Sequence, residues 1–220
     1  MPGARPAGRA RPASAALPLS FYDRETEIVA RELLGTVLEC RTASGLVAGR
    51  IVETEAYLGE HDAACHAAAG HTGRTRWLYG PPGIAYVYFI YGVHWCFNAV
   101  TRAEGLPSAV LVRALEPVEG LEQMRIRRST VRSDRDLTNG PGKLCAALGI
   151  DGTHNGLRLD RLPLRIREDE AVPDARVMVS PRIGITKAAD WPLRWFIADS
   201  PFVSKAPRGV IATPLAGRAG

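Results

Sequence analysis

The sequence lacks long apolar runs, cysteine pairs and the spacing patterns of common metal sites. Its 220 residues include four cysteines, none of them in a CxxC pair, and isolated thiols of this kind are typical of a reduced, intracellular protein. Tyr, Arg or Gly interrupts each apolar stretch before it reaches the ~20 residues of a membrane span. HExxH motifs are also missing. We therefore expect no membrane association and no metal site.

Lysine is scarce, although basic residues outnumber acidic ones. Of 28 basic residues, only Lys143, Lys187 and Lys205 are lysines, and the formal net charge is +5. The arginines supply planar groups that bind phosphate in two-pronged fashion. This charge suits a polyanionic partner such as nucleic acid, but many basic proteins bind none, so charge alone does not decide.

Composition divides the chain into one domain with two tails. Residues 1–18 are rich in Ala, Arg and Pro and contain no acid, which predicts a disordered basic N-terminal arm. Residues 206–220 carry repeated Pro and Gly and are interpreted as a C-terminal tail. Residues 19–205 contain no repeat and no internal linker, so they are expected to form a single domain.

The hydrophobic pattern predicts strands in hairpins with interspersed helices, which is typical of a single α+β domain on an antiparallel sheet. Helices are expected between Asp23 and Gly35, from Pro117 to about Ser129, and over 143–148. A long loop over 58–83 is expected to be functional or to contain a short helix. The predicted strands cover 36–41, 46–57, 86–98 as a hairpin, 108–115, 164–167, 176–179, 183–186 and 193–198.

The strand over 46–57 changes from apolar to acidic along its length. Its period of two places Ile51, Glu53, Glu55 and Tyr57 on one face. A carboxylate at a strand end can deprotonate a water that attacks a sugar carbon through an oxocarbenium-like transition state. A lone Glu on a strand is more often solvated, but two neighbouring carboxylates would differ in pKa if buried.

The hairpin over 86–98 is aromatic and carries Gly92 near its tip. Tyr88 and Tyr91 have opposite parity, so if Tyr88 faces a pocket then Tyr91 faces outward. Aromatic faces can sandwich a planar base, and an exposed aromatic can fill the gap that a flipped nucleotide leaves in a duplex. Ordinary packing of Tyr91 against its neighbours is the alternative.

Two polar residues stand in otherwise apolar strands. Arg113 is costly there unless it is paired, and Glu53 and Glu116 are candidate partners. Asn98 is disfavoured in mid-strand and needs a reason, either a ligand or a structural hydrogen bond.

These blocks, in order from about Leu19 to Lys205, resemble the alkyladenine (3-methyladenine) DNA glycosylase family of monofunctional base-excision repair enzymes. The resemblance implies a curved antiparallel β-sheet with surrounding helices and a protruding β-hairpin that enters the DNA minor groove. It also implies an enzyme that flips an alkylated or deaminated purine, of the 3-methyladenine or hypoxanthine type, out of duplex DNA. An activated water would then hydrolyse the N-glycosidic bond and leave an abasic site, without a cofactor.

The resemblance assigns a role to each matching residue. Glu55 matches the general base, while Arg113 and the main-chain carbonyl of Ile183 help to hold the water. Tyr91 matches the residue that intercalates into DNA, and Glu53 matches a structural neighbour. The residues that match the base pocket are Tyr57, Ala64, His66, Tyr88 and Asn98.

Further expectations concern the partner and the alternatives. The partner is expected to be double-stranded DNA with damaged purines, bound by a monomer in the cytoplasm and nucleoid or in the nucleus. No lysine matches a Schiff-base role, so water is the expected nucleophile. A lesion-binding protein with little catalysis is one alternative, against which the set of Glu55, Tyr57, His66 and Arg113 argues. A hydrolase of free nucleosides or RNA is another, against which the Tyr91 hairpin argues.

Overall fold

The computed structural model describes residues 14–217. In this range ten strands join in one open, mostly antiparallel sheet, accompanied by four short α-helices, which is an α+β arrangement. The helices are α1 (Leu19–Tyr22), α2 (Thr26–Glu32), α3 (Leu121–Arg127) and α4 (Pro141–Leu148). The strands are β1 (Val37–Thr42), β2 (Gly45–Tyr57), β3 (Ala85–Ile90), β4 (His94–Thr101), β5 (Ser108–Glu119), β6 (Asp160–Arg161), β7 (Leu164–Arg167), β8 (Val177–Ser180), β9 (Arg194–Ile197) and β10 (Thr213–Pro214).

Strand β2 is a branch point of the sheet. Its first half pairs with β1, its residues 53–55 pair with β9, and β5 runs along its other side. The acidic stretch therefore lies between two strands, with no free edge. Residues on both of its faces are also buried, including Thr54 and Ala56 as well as the two glutamates. Helix α2 packs against β2, where Thr54 donates its hydroxyl to the carbonyl of Ala30.

Helix α4 packs against β4 and supports the base of the aromatic hairpin. Its buried residues are Leu144, Cys145, Ala147 and Leu148, which follow the helical spacing of an apolar stripe. Each fully buried Leu contributes roughly 1.5–3 kcal/mol relative to exposure. In the described part of the chain no helix has the length and apolarity needed to cross a membrane.

The helix predicted from Pro117 to about Ser129 is present, but its predicted start is wrong. Strand β5 continues to Glu119, and α3 begins only at Leu121, after Gly120 with φ +72°. Pro117 lies opposite Gly49, where the pairing of β2 and β5 shifts register. Proline, which lacks an N–H donor, is tolerated at such bulges. The bulge therefore lets the strand run through a residue that otherwise favours a helix start.

The predicted strand over 183–186 is also wrong, since this segment between β8 and β9 has no regular structure. The main-chain N–H of Ile183 donates to a Glu55 carboxylate oxygen at 2.7 Å rather than to a neighbouring strand. The long loop over 58–83, by contrast, contains short 3-10 helices at His66–Ala69 and Arg76–Tyr79, as expected.

The described ends of the chain lie on the sheet beyond the expected domain limits of 19 and 205. Ala16 bridges to Arg167, and buried Leu17 donates its N–H to the carbonyl of Ile166 at 2.9 Å. In the expected tail, β10 pairs with β8. The remainder of the expected arm, residues 1–13, and residues 218–220 lie outside the described residues.

Candidate active site

Two carboxylates occupy the centre of the sheet. Glu53 and Glu55 have no exposed surface, and burial of a carboxylate is costly unless hydrogen-bond donors or cations surround it. Arg113 on β5 bridges them, with its Nε 3.1 Å from Glu53 Oε1 and its Nη1 3.2 Å from Glu55 Oε2. The predicted partner Glu53 is thus confirmed for Arg113, whereas Glu116 pairs with Arg50.

Glu55 accepts three hydrogen bonds. The N–H of Ile183 donates to Oε1 at 2.7 Å, and the Tyr57 hydroxyl donates to Oε2 at 3.0 Å, beside the Arg113 contact. Burial nevertheless raises the pKa of Glu55 above its ordinary value, against the opposing effects of Arg113, the Ile183 N–H and Tyr57. A carboxylate with a raised pKa is suited to accept a proton.

Arg113 remains charged in this position. Burial alone would lower its pKa, but the two carboxylates outweigh that effect and raise it. Its Nη1 also lies 3.4 Å from the carbonyl oxygen of Ile183. The Arg113 guanidinium, the Ile183 main chain and Glu55 therefore form one connected group.

A cavity of about 500 Å³ opens next to this group. Every predicted site residue except Glu55 lines it, and Glu55 lies directly behind the lining residues Tyr57, Arg113 and Ile183. The predicted residues that line the cavity are Tyr57, Ala64, His66, Tyr88, Tyr91, Asn98, Arg113 and Ile183. The wall is mainly apolar and aromatic, as in sites that bind flat organic groups.

His66 is tied to two aromatic residues. Its ring meets that of Tyr88 edge to face, with 4.4 Å between the ring centres, and its Nδ1 lies 2.9 Å from the Tyr86 hydroxyl. Arg74 is hydrogen-bonded to the same hydroxyl. Burial, helped by the charge of Arg74, lowers the pKa of His66 to about 4. The imidazole is therefore neutral near pH 7.

Asn98 fits both of its expected explanations. It lines the cavity, and its side-chain amide donates to the carbonyl of Tyr86 at 3.1 Å. Its neighbour Cys96, two residues earlier on β4, also lines the cavity and is hydrogen-bonded to the Tyr88 hydroxyl. Cys96 was not predicted as a site residue, although the period of two from Asn98 places it on the same face of the strand.

Tyr91 forms the tip of the β3–β4 hairpin and is 82% exposed, as expected. It lies beyond the end of β3, and both Tyr91 and Gly92 have positive φ, 54° and 70°. Its exposure therefore comes from a tight turn with two left-handed residues and not from strand alternation. At the base of the tip, a Cβ added to Gly142 would lie 2.9 Å from His94 Cβ, so α4 contacts the hairpin closely.

A buried ion pair near the cavity was also missed. Asp62 and Arg182 have no exposed side-chain surface and lie 120 residues apart in the chain. Their partnership has no local spacing signal, although Arg182 immediately precedes Ile183. Among the described residues, no group of three or more His, Cys, Asp and Glu side chains is arranged to hold a metal ion.

Comparison with known proteins identifies a family whose sequence pattern covers almost all of the elements described above. The sequence model of the family described as Methylpurine-DNA glycosylase (MPG) matches residues 20–201. The chain belongs to this family. The match begins in α1, ends after β9, and includes every predicted site residue, so the resemblance inferred from the sequence is confirmed.

Three curated proteins are similar to this member of the methylpurine-DNA glycosylase family over most of their length. A protein of Myxococcus xanthus is 50% identical over 87% of this chain and 94% of its own. One from Koribacter versatilis is 49% identical over 86% and 93%, and one from Salinibacter ruber is 50% identical over 86% and 97%. Each is named "Putative 3-methyladenine DNA glycosylase".

Proposed function

We propose that this protein is a DNA-repair glycosylase that removes damaged purines, of the 3-methyladenine or hypoxanthine type, from double-stranded DNA. The observation that carries the proposal is the position of Glu55, buried directly behind an aromatic cavity beside an exposed hairpin tip. Family membership and the names of the relatives support it. The protein acts in the cell as a monomer and without a cofactor.

The cavity takes the damaged purine after it leaves the duplex. Tyr57, His66 and Tyr88 supply the aromatic wall, and stacking on such surfaces contributes roughly 1–3 kcal/mol per base. The main chain at Ala64 and the side chain of Asn98 contact the edge of the base. Extrusion costs a few kcal/mol and is cheapest for a lesion that pairs poorly, so selection begins before any chemistry.

Hydrolysis then depends on the group behind the cavity wall. Arg113 and the carbonyl of Ile183 hold a water near the sugar C1′, and Glu55 accepts its proton as the glycosidic bond breaks. The fixed N–H of Ile183 and the Arg113 charge keep Glu55 oriented. The products are a free base and an abasic site.

Water is the nucleophile in this proposal, although one lysine lies in the cavity wall. Lys143 lines the cavity, but its Nζ donates to Asn139 Oδ1 at 2.7 Å. The DNA product should therefore remain unbroken until alkali is added. A covalent protein–DNA adduct trapped with borohydride, and lost in Lys143→Gln, would show that the protein uses an amine instead.

The decisive experiment measures free-base release by the full chain. Duplex and single-stranded oligonucleotides that carry 3-methyladenine or hypoxanthine, and the corresponding free nucleosides, are incubated with excess protein, and the released base is quantified. Release from duplex supports the proposal. Tight lesion binding without release would indicate a lesion-binding protein, and release from free nucleosides alone would indicate a different hydrolase.

A separate experiment tests the role of Tyr91 at the hairpin tip. We propose that Tyr91 enters the minor groove and fills the gap left by the flipped purine. Tyr91→Ser should then slow release from duplex by more than it slows release from single strands, which have no stack to fill. Equal losses on both substrates would show that Tyr91 only supports packing, with His94 as the next candidate.

A further inference from the structure

The buried ion pair of Asp62 and Arg182 contacts three separate parts of the candidate site. Arg182 Nη1 lies 2.5 Å from Asp62 Oδ2, and its Nη2 lies 2.8 Å from Oδ1. This is a two-pronged arrangement, the strongest geometry for an arginine–carboxylate pair. No role was predicted from the sequence for Asp62 or Arg182, and neither residue lines the cavity.

The Asp62 carboxylate organises the loop that follows β2. It accepts the main-chain N–H of Leu58 at 3.1 Å and that of Ala64 at 3.0 Å. Burial alone would raise the pKa of Asp62, but its hydrogen bonds from Arg182 and the main chain lower it, so the group is ionised. Ala64 belongs to the cavity wall, two residues before His66. Asp62 therefore sets the course of this part of the wall.

The Arg182 guanidinium supports another part of the wall. Its central carbon lies 4.7 Å from the centre of the Tyr57 ring, and its Nη1 donates to the carbonyl of Ala56 at 3.0 Å. A cation held against a tyrosine ring at this distance contributes attraction as well as packing. Tyr57 lines the cavity and also donates to Glu55, so its position affects both base binding and chemistry.

Arg182 also controls the main chain that holds Glu55. The next residue is Ile183, whose N–H donates to Glu55 Oε1 and whose carbonyl lies near Arg113. Anchoring the Arg182 side chain in the interior therefore fixes where this N–H and this carbonyl point. The segment has no strand partner at this position, so the side chain replaces sheet pairing as its anchor.

Burying the Asp62–Arg182 pair costs free energy that a purely structural contact would not require. Both charges are removed from water, and the buried Nε of Arg182 finds no acceptor among residues 14–217. Buried ion pairs often contribute less stability than apolar residues of the same volume, and an unpaired buried donor costs roughly 1–3 kcal/mol. A role in positioning residues of the site explains why the protein keeps a buried ion pair despite this free-energy cost.

We propose that the Asp62–Arg182 pair positions the Tyr57 ring, the Ala64 main chain and the Ile183 main chain together, and so couples the base pocket to the catalytic group. This inference rests on the proposed glycosylase function. Both residues act through others and are positioning residues. A displacement of about 1 Å at a reacting group can cost roughly 100-fold in rate, so loosening this pair should reduce base release strongly.

The test compares this pair with a second ion-paired carboxylate that is also buried, but whose arginine partners are partly exposed. Asp62→Asn removes the anion of the pair at the site. Glu39→Gln removes the anion of a control pair on β1, where Glu39 is 3% exposed and its oxygens each lie 2.5 Å from Arg165 or Arg167. The control pair does not line the cavity. Both variants are measured for thermal midpoint, lesion-duplex affinity and single-turnover rate across pH.

We expect both variants to lose thermal stability, and Asp62→Asn alone to lose activity. Its single-turnover rate should fall by roughly 10- to 100-fold. The pH–rate profile of this variant should also change. Its acid limb, where the rate falls as the pH is lowered, should move to higher pH because a loosened Ile183 N–H no longer favours ionised Glu55. The other charged or titratable groups facing Glu55, which are Arg113, Glu53, Tyr57, Tyr88 and Arg182, remain present in this variant.

An Asp62→Asn protein with the wild-type rate and acid limb would overturn the proposal, since the pair would then be structural only. If this variant does not fold, Arg182→Lys carries the test, because it keeps the charge but loses the two-pronged contact and the stacking on Tyr57. A normal rate and acid limb in Arg182→Lys would equally overturn it. Absence of base release by the wild-type chain would instead overturn the glycosylase function itself.

Discussion

Glu53 and Glu55 lie two residues apart on β2, are equally buried and share Arg113, yet their surroundings differ. Around Glu53 the interior is closed. Its oxygens also accept from Arg194 Nε, the Ser204 N–H and the Ser204 hydroxyl, each at 2.7 Å. Around Glu55, the neighbouring groups face the cavity. The same residue type is therefore enclosed on all sides in one place and lies beside the cavity in the other.

Under the proposed function, this difference means that burial alone does not identify the general base. Glu53 is surrounded by donors that come from distant parts of the chain and face no open space. Glu55 has donors from Tyr57, Arg113 and Ile183, and all three of these residues also line the cavity. The useful criterion is whether the partners of a buried charge are themselves exposed to substrate.

The largest effect is expected for Glu55→Gln. Base release should fall by roughly 10²–10⁴-fold, the usual contribution of a general base. Binding of a lesion duplex should persist, because the cavity wall is unchanged. Single-turnover release and a gel-shift titration measure the two properties. Retained excision would remove Glu55 from the mechanism and erase the contrast with Glu53.

Glu53→Gln should affect stability rather than chemistry. Breaking a buried pair leaves Arg113 and Arg194 without a full counter-charge, and such changes typically cost about 3–5 kcal/mol of unfolding free energy. Urea denaturation measures that loss, while the release rate is normalised to the folded fraction. A variant that folds normally but is inactive would reverse the roles of the two glutamates.

The pH dependence should report Glu55 and not His66. Glu55 acts when ionised, so base release should decline as the pH falls through its raised pKa, which lies above the ordinary Glu value of about 4.3. His66, with a pKa of about 4, is neutral over that range. His66→Gln should therefore weaken binding without moving the acid limb. A limb that disappears in this variant would assign the titration to His66.

The smallest effects come from a matched pair of hydroxyl deletions. Tyr57→Phe removes a donor to Glu55 but keeps the aromatic face, so the acid limb should move to higher pH by about one unit, since a hydrogen bond to a charge contributes roughly 1.5 kcal/mol or more. Ser204→Ala removes a donor to Glu53 and should lower stability by about 1–3 kcal/mol. Its acid limb should not move. Identical pH profiles for both variants would contradict the distinction.

Local pattern predicted the part of the site that lies on strands, and the family resemblance supplied the rest. The period of two placed Glu53 and Glu55 on one face, and the opposite parity of Tyr88 and Tyr91 predicted the exposure of Tyr91, although the turn conformation produces it. Pro117 misled the prediction because its compatibility with β5 depends on a bulge opposite Gly49. A bulge depends on the partner strand and is invisible in local sequence.

Long-range partners could not be predicted in this way. The sequence gives no spacing rule for the 151 residues between Glu53 and Ser204, or the 120 between Asp62 and Arg182. Ile183 appeared strand-like because its neighbours are apolar, but its N–H pairs with a side chain. The roles of the two glutamates depend on these distant contacts, so local pattern leaves them equivalent.

The contact of Ser204 with Glu53 also bears on how the protein is made. Chains are synthesised from the amino terminus and begin to fold as they emerge, so β2 leaves the ribosome long before Arg194 and Ser204 exist. Until then, Glu53 lacks three of its hydrogen-bond donors. A nascent chain that ends before Arg194 leaves these positions around Glu53 unfilled. The full set of hydrogen bonds around Glu53 and Glu55 therefore forms only after the chain has been synthesised as far as Ser204.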